Sequence, residues 1–251
     1  MGVKRYELSE AQWLRIAPLL PGKASDPGRT GADNRLFVNA VLWVLRSGAH
    51  WQHLPERYGK WKSVHTRFTR WAKAGVWERV FTELIKDRDN KYLMLDSTLV
   101  RVHQQAASGK GGPKSGSGAF RGGLTTKIHM VCDALGRPLR FILTAGQRHD
   151  SIPAKDLLDG FKADAVLADK AYDSNDLRQF IADARAKAVI PSKRSRKVQI
   201  PHDEHAYKDR NLIERCFNKL KHFRRFATRY DRQAAYYLAF IHLAAVMLWL
   251  R

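Results

Sequence analysis

The chain has 251 residues, 44% of them hydrophobic, which predicts a folded protein with one large domain or one medium and one small domain. Its 45 lysines and arginines against 24 acidic residues give a formal net charge of +21. Such a surplus indicates a polyanionic partner, first of all nucleic acid, and we expect no small-molecule substrate. Two cysteines, Cys132 and Cys216, cannot form a disulfide framework, and the first residues contain no apolar signal segment, so a cytoplasmic location is expected.

The positive charge is spread along the whole chain. Residues 1–90, 91–190 and 191–251 carry net charges of +7, +5 and +9. The basic runs 193–197 and 224–225 are too clustered to be typical of a surface kept basic only for solubility, which is the alternative explanation. Both ends of the chain are therefore expected to touch the polyanion.

The first ninety residues have the pattern of a small all-helical region. Helices are predicted from Ser9 to about Leu20, from a cap at Asp33 to Arg46, over Lys60–Ala74 and over Val76–Lys86. In the third helix Val64, Phe68 and Trp71 share one face, and Thr66, Arg67, Arg70 and Lys73 lie on the other. This resembles a helix-turn-helix DNA-binding unit with Arg67, Arg70 and Lys73 as candidate DNA contacts. A three-helix bundle with a basic surface would have the same pattern.

From Tyr92 onward strands alternate with helices. Strands are predicted at Tyr92–Val102, Leu124–Val131, Leu139–Thr144, Ala165–Ala168 and Ala188–Pro191, with a glycine-rich loop at 104–123. Helices are predicted at about Ile152–Gly160, Asn175–Ala186, a long one from about Lys208, and an apolar one at Ala234–Leu250. This order predicts a mixed α/β fold, a five-stranded sheet flanked by helices with the ribonuclease H-like layout. The last helix is shorter than the ~20 residues that span a bilayer and is read as a core helix, so no membrane partner is expected.

Three carboxylates are placed where metal chemistry would require them. Asp96 and Asp169 each stand at the end of an apolar run, in strands predicted to be neighbours, and Glu214 lies on a later helix. Adjacent carboxylates repel unless a cation lies between them, so oxygen ligands of this kind favour two Mg²⁺ or Mn²⁺ ions. Such ions, ~3.5–4 Å apart, activate water and stabilise the leaving oxygen of a phosphodiester. Taken singly, each strand-end aspartate could instead be a helix cap or a turn residue.

The spacing Tyr207-x2-Arg210-x3-Glu214-x6-Lys221 resembles the signature of bacterial insertion-sequence DDE transposases. The segments 95–98, 121–129, 168–173 and 210–225 are similar to insertion sequence family five, which is related to family four, and residues 8–77 resemble that family's helical N-terminal region. The resemblance implies that Asp96, Asp169 and Glu214 form the catalytic, metal-binding triad. It also implies that Tyr207, Arg210 and Lys221 contact DNA or position the phosphate.

Some features leave alternatives open. Ala171 stands where the family usually has glycine, and the short interval between Asp169 and Glu214 leaves no room for a strand-rich insertion domain. Arg210 and Lys221 could merely pair with Glu214 along the helix, an interaction worth a few tenths of a kcal/mol, about 0.2–0.5. His129 and the pair His149–Asp150 are candidates to line the site or are structural. The helix at 175–186 is expected to be capped by Asp173 or Ser174, and Asp173 is read as a cap rather than a fourth ligand.

The expectation from the sequence is a DDE transposase with a DNA-binding region at 1–90 and a catalytic domain at 91–251. Its partners would be the terminal inverted repeats and the target duplex, bound by a homodimer in the bacterial cytoplasm at the nucleoid. Two rivals are a non-catalytic DNA-binding protein, such as a domesticated transposase acting as a repressor, and a ribonuclease H-fold nuclease that cleaves without joining.

Overall fold

A computed structural model describes residues 6–23, 25–26, 33–107, 118–120 and 123–251. The chain divides into two compact units, each assembled from separate stretches. The first, which we call the helical unit, comprises residues 1–86, 103–110 and 220–251. The second, which we call the sheet unit, comprises residues 87–102 and 111–219. The last 32 residues of the chain therefore belong with the N-terminal helices.

Eleven α-helices and seven strands occur in the described residues, besides short 3₁₀ turns. The helices are α1 Glu10–Ile16, α2 Asn34–Ser47, α3 Trp61–Lys73, α4 Val76–Leu84, α5 Gln104–Ala107, α6 Ala154–Leu158, α7 Asn175–Asp183, α8 Glu204–Tyr207, α9 Asn211–Lys221, α10 Arg224–Ala227 and α11 Ala234–Trp249. The strands are β1 Tyr92–Val102, β2 Gly118–Phe120, β3 Gly123–Cys132, β4 Pro138–Ala145, β5 Ala165–Ala168, β6 Lys187–Val189 and β7 Thr228–Arg229.

The N-terminal helices begin and end at the residues that their capping chemistry favours. The Ser9 side chain accepts from the backbone of Gln12, whose side chain accepts in turn from Ser9 N–H, a complete capping box. The Asp33 carboxylate accepts from Leu36 N–H at the start of α2. At the other end Gly48 has φ 72°, the left-handed conformation in which glycine commonly ends a helix.

The apolar helix α11 lies in the core of the helical unit. Its Phe240 ring is stacked on Phe68 of α3, with ring centroids 4.4 Å apart, and its His242 ring is stacked on Phe81 of α4 at 5.4 Å. Burial lowers the pKa of His242 to about 4, so this histidine is neutral at pH 7. Among the described helices none is both long and apolar enough to cross a membrane. The expectation of a core helix agrees with this packing.

The sheet unit contains a mixed sheet in which the strands lie in a different order from the chain. Strand β1 is central, pairing antiparallel with β3 on one side and parallel with β5 on the other. Strand β6 extends the sheet parallel to β5, and β4 and the short β2 both pair with the far side of β3. The described residues of the unit thus form six strands and not the predicted five.

The sixth strand lies in a segment that composition alone marks as a loop. Within the predicted loop at 104–123, Gln104–Ala107 form α5 and Gly118–Phe120 form β2. Residues 108–117 and 121–122 lie outside the described part of the chain, so most of this predicted loop and the start of the 121–129 motif do so too. Backbone pairing with β3 makes the short glycine-containing run a strand, and such a long-range partner has no local signal.

The predicted long helix from Lys208 is interrupted. It is formed by α8, a 3₁₀ turn at Lys208–Arg210, and α9. On α9 the buried residues are Ile213, Cys216, Phe217 and Leu220. Glu214, Asn218 and Lys221 are exposed and follow at helical spacing. Phe217 belongs to the apolar face of α9, and Asn218 lies on the exposed face with Glu214.

Truncation of Phe240 should destabilise the helical unit. The ring is fully buried, so Phe240→Ala removes its contact with Phe68 and leaves a cavity, which typically costs ~3–5 kcal/mol. Urea unfolding followed by circular dichroism measures the change. Leu14→Ala is the control, since Leu14 is 64% exposed and surface changes usually stay within about 0.5 kcal/mol. Equal stabilities of the two variants would contradict the assignment of α11 to the core.

Candidate active site

The pairing of β1 with β5 brings two aspartates to the same point of the sheet. The parallel register pairs Leu95 with Ala168 at the last step before the strands diverge. Asp96 follows Leu95, and Asp169 follows Ala168. Neighbouring strands lie ~4.8 Å apart, so the two carboxylates emerge side by side as the sequence predicts.

Backbone amides hold one oxygen of each aspartate. Asp96 Oδ1 accepts from Ser97 N–H at 2.8 Å, and Asp169 Oδ1 accepts from Ala171 N–H at 2.8 Å as the cap of a 3₁₀ turn. Among the described non-glycine residues, Ala171 is not one of those with positive φ. Alanine therefore replaces the family's usual glycine here without backbone strain. The second oxygen of Asp96 faces the Arg210 guanidinium.

Arg210 joins Asp96 to Glu214. Its Nη1 lies 3.4 Å from Asp96 Oδ2, and its Nη2 donates a hydrogen bond to Glu214 Oε1. The Arg210 side chain is 16% exposed and that of Glu214 is 54% exposed. The predicted helical pairing of Arg210 with Glu214 is therefore present, but the guanidinium also reaches the sheet. It stands between two of the three predicted ligands.

The charges of these groups depend on one another. Burial raises the pKa of Asp96 to about 6, with Ser97 N–H and Arg210 opposing the rise and Asp169 and Glu214 adding to it. Burial acts against the charge of Arg210, but Asp96 and the other anionic groups outweigh it and raise its pKa. The arginine is thus the local countercharge for carboxylates that would otherwise repel one another.

A second polar network lies directly beside Asp96. Asp150 accepts from Ser97 Oγ at 2.7 Å and lies 3.0 Å from Lys127 Nζ. Burial would raise the pKa of Asp150, but the hydrogen bonds from Ser97 and Lys127 outweigh it and lower that pKa. Ser97 and Lys127 were not among the predicted site residues, although Ser97 adjoins Asp96 and Lys127 lies two residues before His129.

His129 is a buried, neutral member of this network. Its position on β3 is opposite Ser97 on β1, and burial lowers its pKa to about 4. The Nε2 atom is 2.8 Å from Thr144 Oγ1, and Nδ1 is 3.8 Å from Asp150 Oδ1. His129 therefore supports the sheet behind Asp96. His149, the other flagged histidine, is exposed and its Nδ1 lies 2.9 Å from Ser151 Oγ.

Several buried polar atoms around the carboxylates have no hydrogen-bond partner among the described residues, namely Tyr172 Oη, His129 Nδ1 and Arg210 Nη1. Burial, together with Asp150, Asp96 and Asp169, raises the pKa of Tyr172. Buried polar groups are normally satisfied by protein or water, so orphaned atoms here point to a site that is completed by further polar groups.

The carboxylate oxygens are the ligands that Mg²⁺ and Mn²⁺ prefer, and the donor set fits such ions. Among the described residues, however, no three acidic, histidine or cysteine side chains are gathered closely enough to hold a metal as they stand.

Tyr207 and Lys221 occupy different settings. The Tyr207 ring lies 5.4 Å from the His202 ring and 5.9 Å from the Arg210 guanidinium, so it borders the arginine of the site. Lys221 is the exposed last residue of α9, two turns after Glu214.

The three candidate DNA contacts of α3 do not behave alike. Arg70 and Lys73 are exposed, and they line an open cleft of about 520 Å³ with Thr66, Thr69 and Ala74. Arg67 instead lies over the Phe37 ring at 4.3 Å and the Trp71 ring at 4.8 Å, and hydrogen-bonds Asn34. The expectation that Arg67 faces outward was wrong, because guanidinium stacking on aromatic rings holds it against the core.

Asp173 is not the N-terminal cap of α7. Ser174 caps α7 by accepting from Leu177 N–H. The buried Asp173 carboxylate instead accepts from Arg178 at 2.8 Å and from two nitrogens of Arg196, each at 2.8 Å. Burial would raise the pKa of Asp173, but the hydrogen bonds from Arg196, Lys193 N–H and Arg178 hold it far below its usual range.

Two protein-family models match the chain. Residues 88–249 match the model of the "Transposase DDE domain", and residues 8–81 match that of the "Putative transposase of IS4/5 family". The chain belongs to the DDE transposase family. The expected resemblance to insertion-sequence transposases is thereby confirmed.

Similar proteins agree with this membership. The chain is 44% identical over 130 residues, 51% of its length, to the whole of the "Putative transposase for insertion sequence element IS6501" of Brucella ovis. It is 30% identical over 135 residues to the corresponding protein of IS402 from Burkholderia cepacia, covering 49% of this chain and 62% of that protein. A solved structure, the piggyBac transposase in a synaptic complex with hairpin DNA, superposes with a TM-score of 0.55 at 12% identity over 98% of this chain and 72% of that one. This likeness confirms the ribonuclease H-like α/β fold.

Removal of the Arg210 charge should raise the pKa of Asp96 above about 6 in the metal-free protein. The guanidinium favours the ionised carboxyl, so Arg210→Gln leaves Asp96 facing Asp169 and Glu214 with less compensation. Titration of the ¹³C-labelled aspartate carboxyls by NMR measures the shift, with Asp96→Asn identifying the resonance. The control is Arg215→Gln, an exposed arginine on the adjoining helix α9. An unchanged or lowered pKa in Arg210→Gln would contradict the pairing.

Proposed function

We propose that this DDE transposase binds the terminal inverted repeats of an insertion sequence, cleaves at the element's ends and joins the freed 3′-hydroxyl to target DNA. In the first step water attacks the phosphorus, and the 3′-oxygen of the element leaves. In the second step that 3′-hydroxyl attacks a target phosphodiester and displaces a 3′-oxygen of the target strand. Neither step requires a covalent protein–DNA intermediate.

Asp96, Asp169 and Glu214 would hold two divalent ions, Mg²⁺ or Mn²⁺. Bound there, such ions activate water or hydroxyl and stabilise the leaving oxygen of the phosphodiester. The support is the placement of the two aspartates at matching positions of β1 and β5, each with one oxygen fixed by a backbone amide. This is the observation that carries the proposal.

Arg210 would exchange partners during the reaction. Without DNA it compensates Asp96 and Glu214, the charges that cations at the site would otherwise balance. A guanidinium matches phosphate oxygens in a bidentate manner, so the scissile phosphate is the natural alternative partner. Tyr207, whose ring borders the Arg210 guanidinium, would stack on a displaced base, and Lys221 would contact phosphate further along α9.

Asp96→Asn, Asp169→Asn and Glu214→Gln should each abolish cleavage and joining while DNA binding is nearly retained. Each change removes a proposed metal ligand without altering the size of the side chain. The assay uses supercoiled plasmid carrying the element's ends, Mg²⁺ and gel separation of nicked, cut and joined products. Asp183→Asn, an exposed carboxylate at the end of α7, is the matched control and should behave as wild type.

The same assay separates the rival functions. Products that are cut but never joined, even with a supplied 3′-hydroxyl end, would favour a nuclease. Tight binding to the repeats with neither product would favour a non-catalytic DNA-binding protein. Substantial joining by any triad variant would remove that residue from the ligand set.

The helical unit would supply sequence recognition through α3. Exposed Arg70 and Lys73 project from a helix whose buried face is Val64, Phe68 and Trp71. A helix of this kind fits a major groove, where arginine recognises guanine by paired hydrogen bonds. Two element ends brought together require two active sites, so the working form would be a homodimer on DNA at the bacterial nucleoid.

Arg70→Gln should lower the preference for terminal-repeat DNA over scrambled DNA, by ~1–3 kcal/mol if the side chain recognises a base. Fluorescence anisotropy with both duplexes gives the ratio of dissociation constants. Lys86→Gln, an exposed lysine after α4, should leave the ratio unchanged. Arg67→Ala should lower stability instead, because its guanidinium stacks on Phe37 and Trp71. A larger loss of preference in Arg67→Ala than in Arg70→Gln would reverse this assignment.

A further inference from the structure

The chain between β6 and α8 forms a loop that carries four of the sheet unit's cations within five residues, Lys193, Arg194, Arg196 and Lys197. We propose that this basic loop, residues 192–200, binds the sugar–phosphate backbone of the DNA duplex whose scissile phosphate lies at Asp96 and Asp169. The inference rests on the proposed function. It says that the DNA next to the scissile phosphate binds to a surface that does not include Asp96, Asp169 or Glu214.

The loop leaves the sheet at the carboxyl ends of the parallel strands β5 and β6, on the same side as Asp169. Strand β6 runs parallel to β5 with Leu167 opposite Val189, so Asp169 is level with Pro191 and the loop begins just beyond. Strands β1 and β6 are separated only by β5, about 10 Å at ~4.8 Å per strand. Phosphates of one DNA strand advance ~3.4 Å along the helix axis per nucleotide. The loop is therefore within a few nucleotides of a phosphate held at the aspartates.

Internal hydrogen bonds give the loop a fixed shape. Ser192 Oγ accepts from Ile200 N–H at 2.9 Å, which closes the neck of the loop. The Gln199 side chain donates to the carbonyl of Lys193 at 3.3 Å and to that of Arg196 at 3.0 Å. A basic segment without helix or strand would otherwise pay an ordering cost when it binds, and this bonding removes much of that cost.

Asp173 anchors the loop to the body of the sheet unit. Its buried carboxylate accepts from Lys193 N–H at 2.8 Å and from the Arg196 guanidinium. Arg196 Nη1 also donates to Asn175 Oδ1 at 2.7 Å. One cation of the run is thus used for attachment, because a buried charge pair of this kind is a structural contact. The other three are left for another partner.

Two of those three cations, Lys193 and Lys197, line an open cleft. Arg194 and Lys197 are exposed and Lys193 is partly exposed, and none of the three side chains has an ion pair with any described residue. Lys193, Ser195 and Lys197 line a cleft of about 520 Å³ whose floor includes Asp173. Cations held unpaired and close together repel one another, and the phosphates of DNA relieve that repulsion with release of counterions. Duplex backbone is the polyanion that matches a row of cations beside a DNA-cleaving site.

The test compares two triple variants of the full chain that lose the same charge. One is Lys193→Gln, Arg194→Gln and Lys197→Gln. The control is Lys91→Gln, Lys162→Gln and Lys187→Gln, three exposed lysines at the start of β1, before β5 and at the start of β6, at the opposite ends of the same strands. Both variants retain the Asp173 anchor, and their free energies of unfolding are measured alongside.

Binding to a fluorescein-labelled 30-base-pair duplex of random sequence is measured across salt concentrations. The slope of log K against log salt is negative, and each lost phosphate contact reduces its magnitude by ~0.9. The magnitude should therefore fall by about 2–3 in the loop variant and by much less in the control. Equal losses in the two variants would overturn the proposal. Cleavage of supercoiled plasmid by the wild type is assayed in parallel. If cleavage is intact while the slopes do not differ, only the loop assignment fails, whereas a wild type that neither cleaves nor binds DNA overturns both.

A tethered cleavage reagent gives the position of the loop on DNA. Ser195→Cys carries an iron–EDTA group on a thiol that is selectively labelled, because Cys132 and Cys216 are both buried. Strand scission of the same duplex should be strong from residue 195 and weak from Lys162→Cys. Comparable scission from both positions would contradict contact between the loop and the duplex.

Discussion

Mutual repulsion among Asp96, Asp169 and Glu214 is the constraint on which the arrangement of the site depends. Bringing three carboxylates together at the edge of a sheet is unfavourable unless a positive charge lies among them. In this structure the charge comes from Arg210, which touches Asp96 and Glu214 while its own burial opposes its ionisation. The site is therefore held in balance by an internal cation, and any external cation must compete with it or displace it.

The sheet supplies the rigidity that makes this balance possible. Asp96 lies in the middle of the longest strand, with β3 on one side and β5 on the other, and buried residues precede it along β1. Behind it, Ser97, Asp150 and Lys127 form a hydrogen-bonded group that fixes the strand. Glu214, by contrast, is half exposed on a helix. Two of the proposed ligands are thus fixed by the sheet, and the third is placed by α9 and held by Arg210.

Much of this could be predicted because the signals are local. The strands Tyr92–Val102 and Ala165–Ala168 have the predicted bounds, since apolar runs ending in a polar residue mark buried strands. The family motif located the candidate triad within the chain. Contacts distant in sequence were not predictable: α11 packs with the N-terminal helices, β2 needs its partner β3, and Arg67 stacks on Phe37. Periodicity places a residue on a face, but it does not reveal which cations the fold itself uses.

Some of the cations that make up the net charge of +21 are used by the fold itself. Arg229 is 1% exposed and donates to the carbonyls of Asp231 and Arg232, and Arg225 is 4% exposed and donates to the carbonyl of Ala49. The sequence suggested that the basic run at 224–225 contacts DNA, but Arg225, one of its two arginines, is buried and has a structural role. A buried arginine that satisfies carbonyl groups cannot also reach a phosphate without exposing them. We therefore expect the proposed DNA-binding surface to be built from the cations that the fold does not itself use, and among the described residues of the sheet unit the loop beside β6 concentrates such cations.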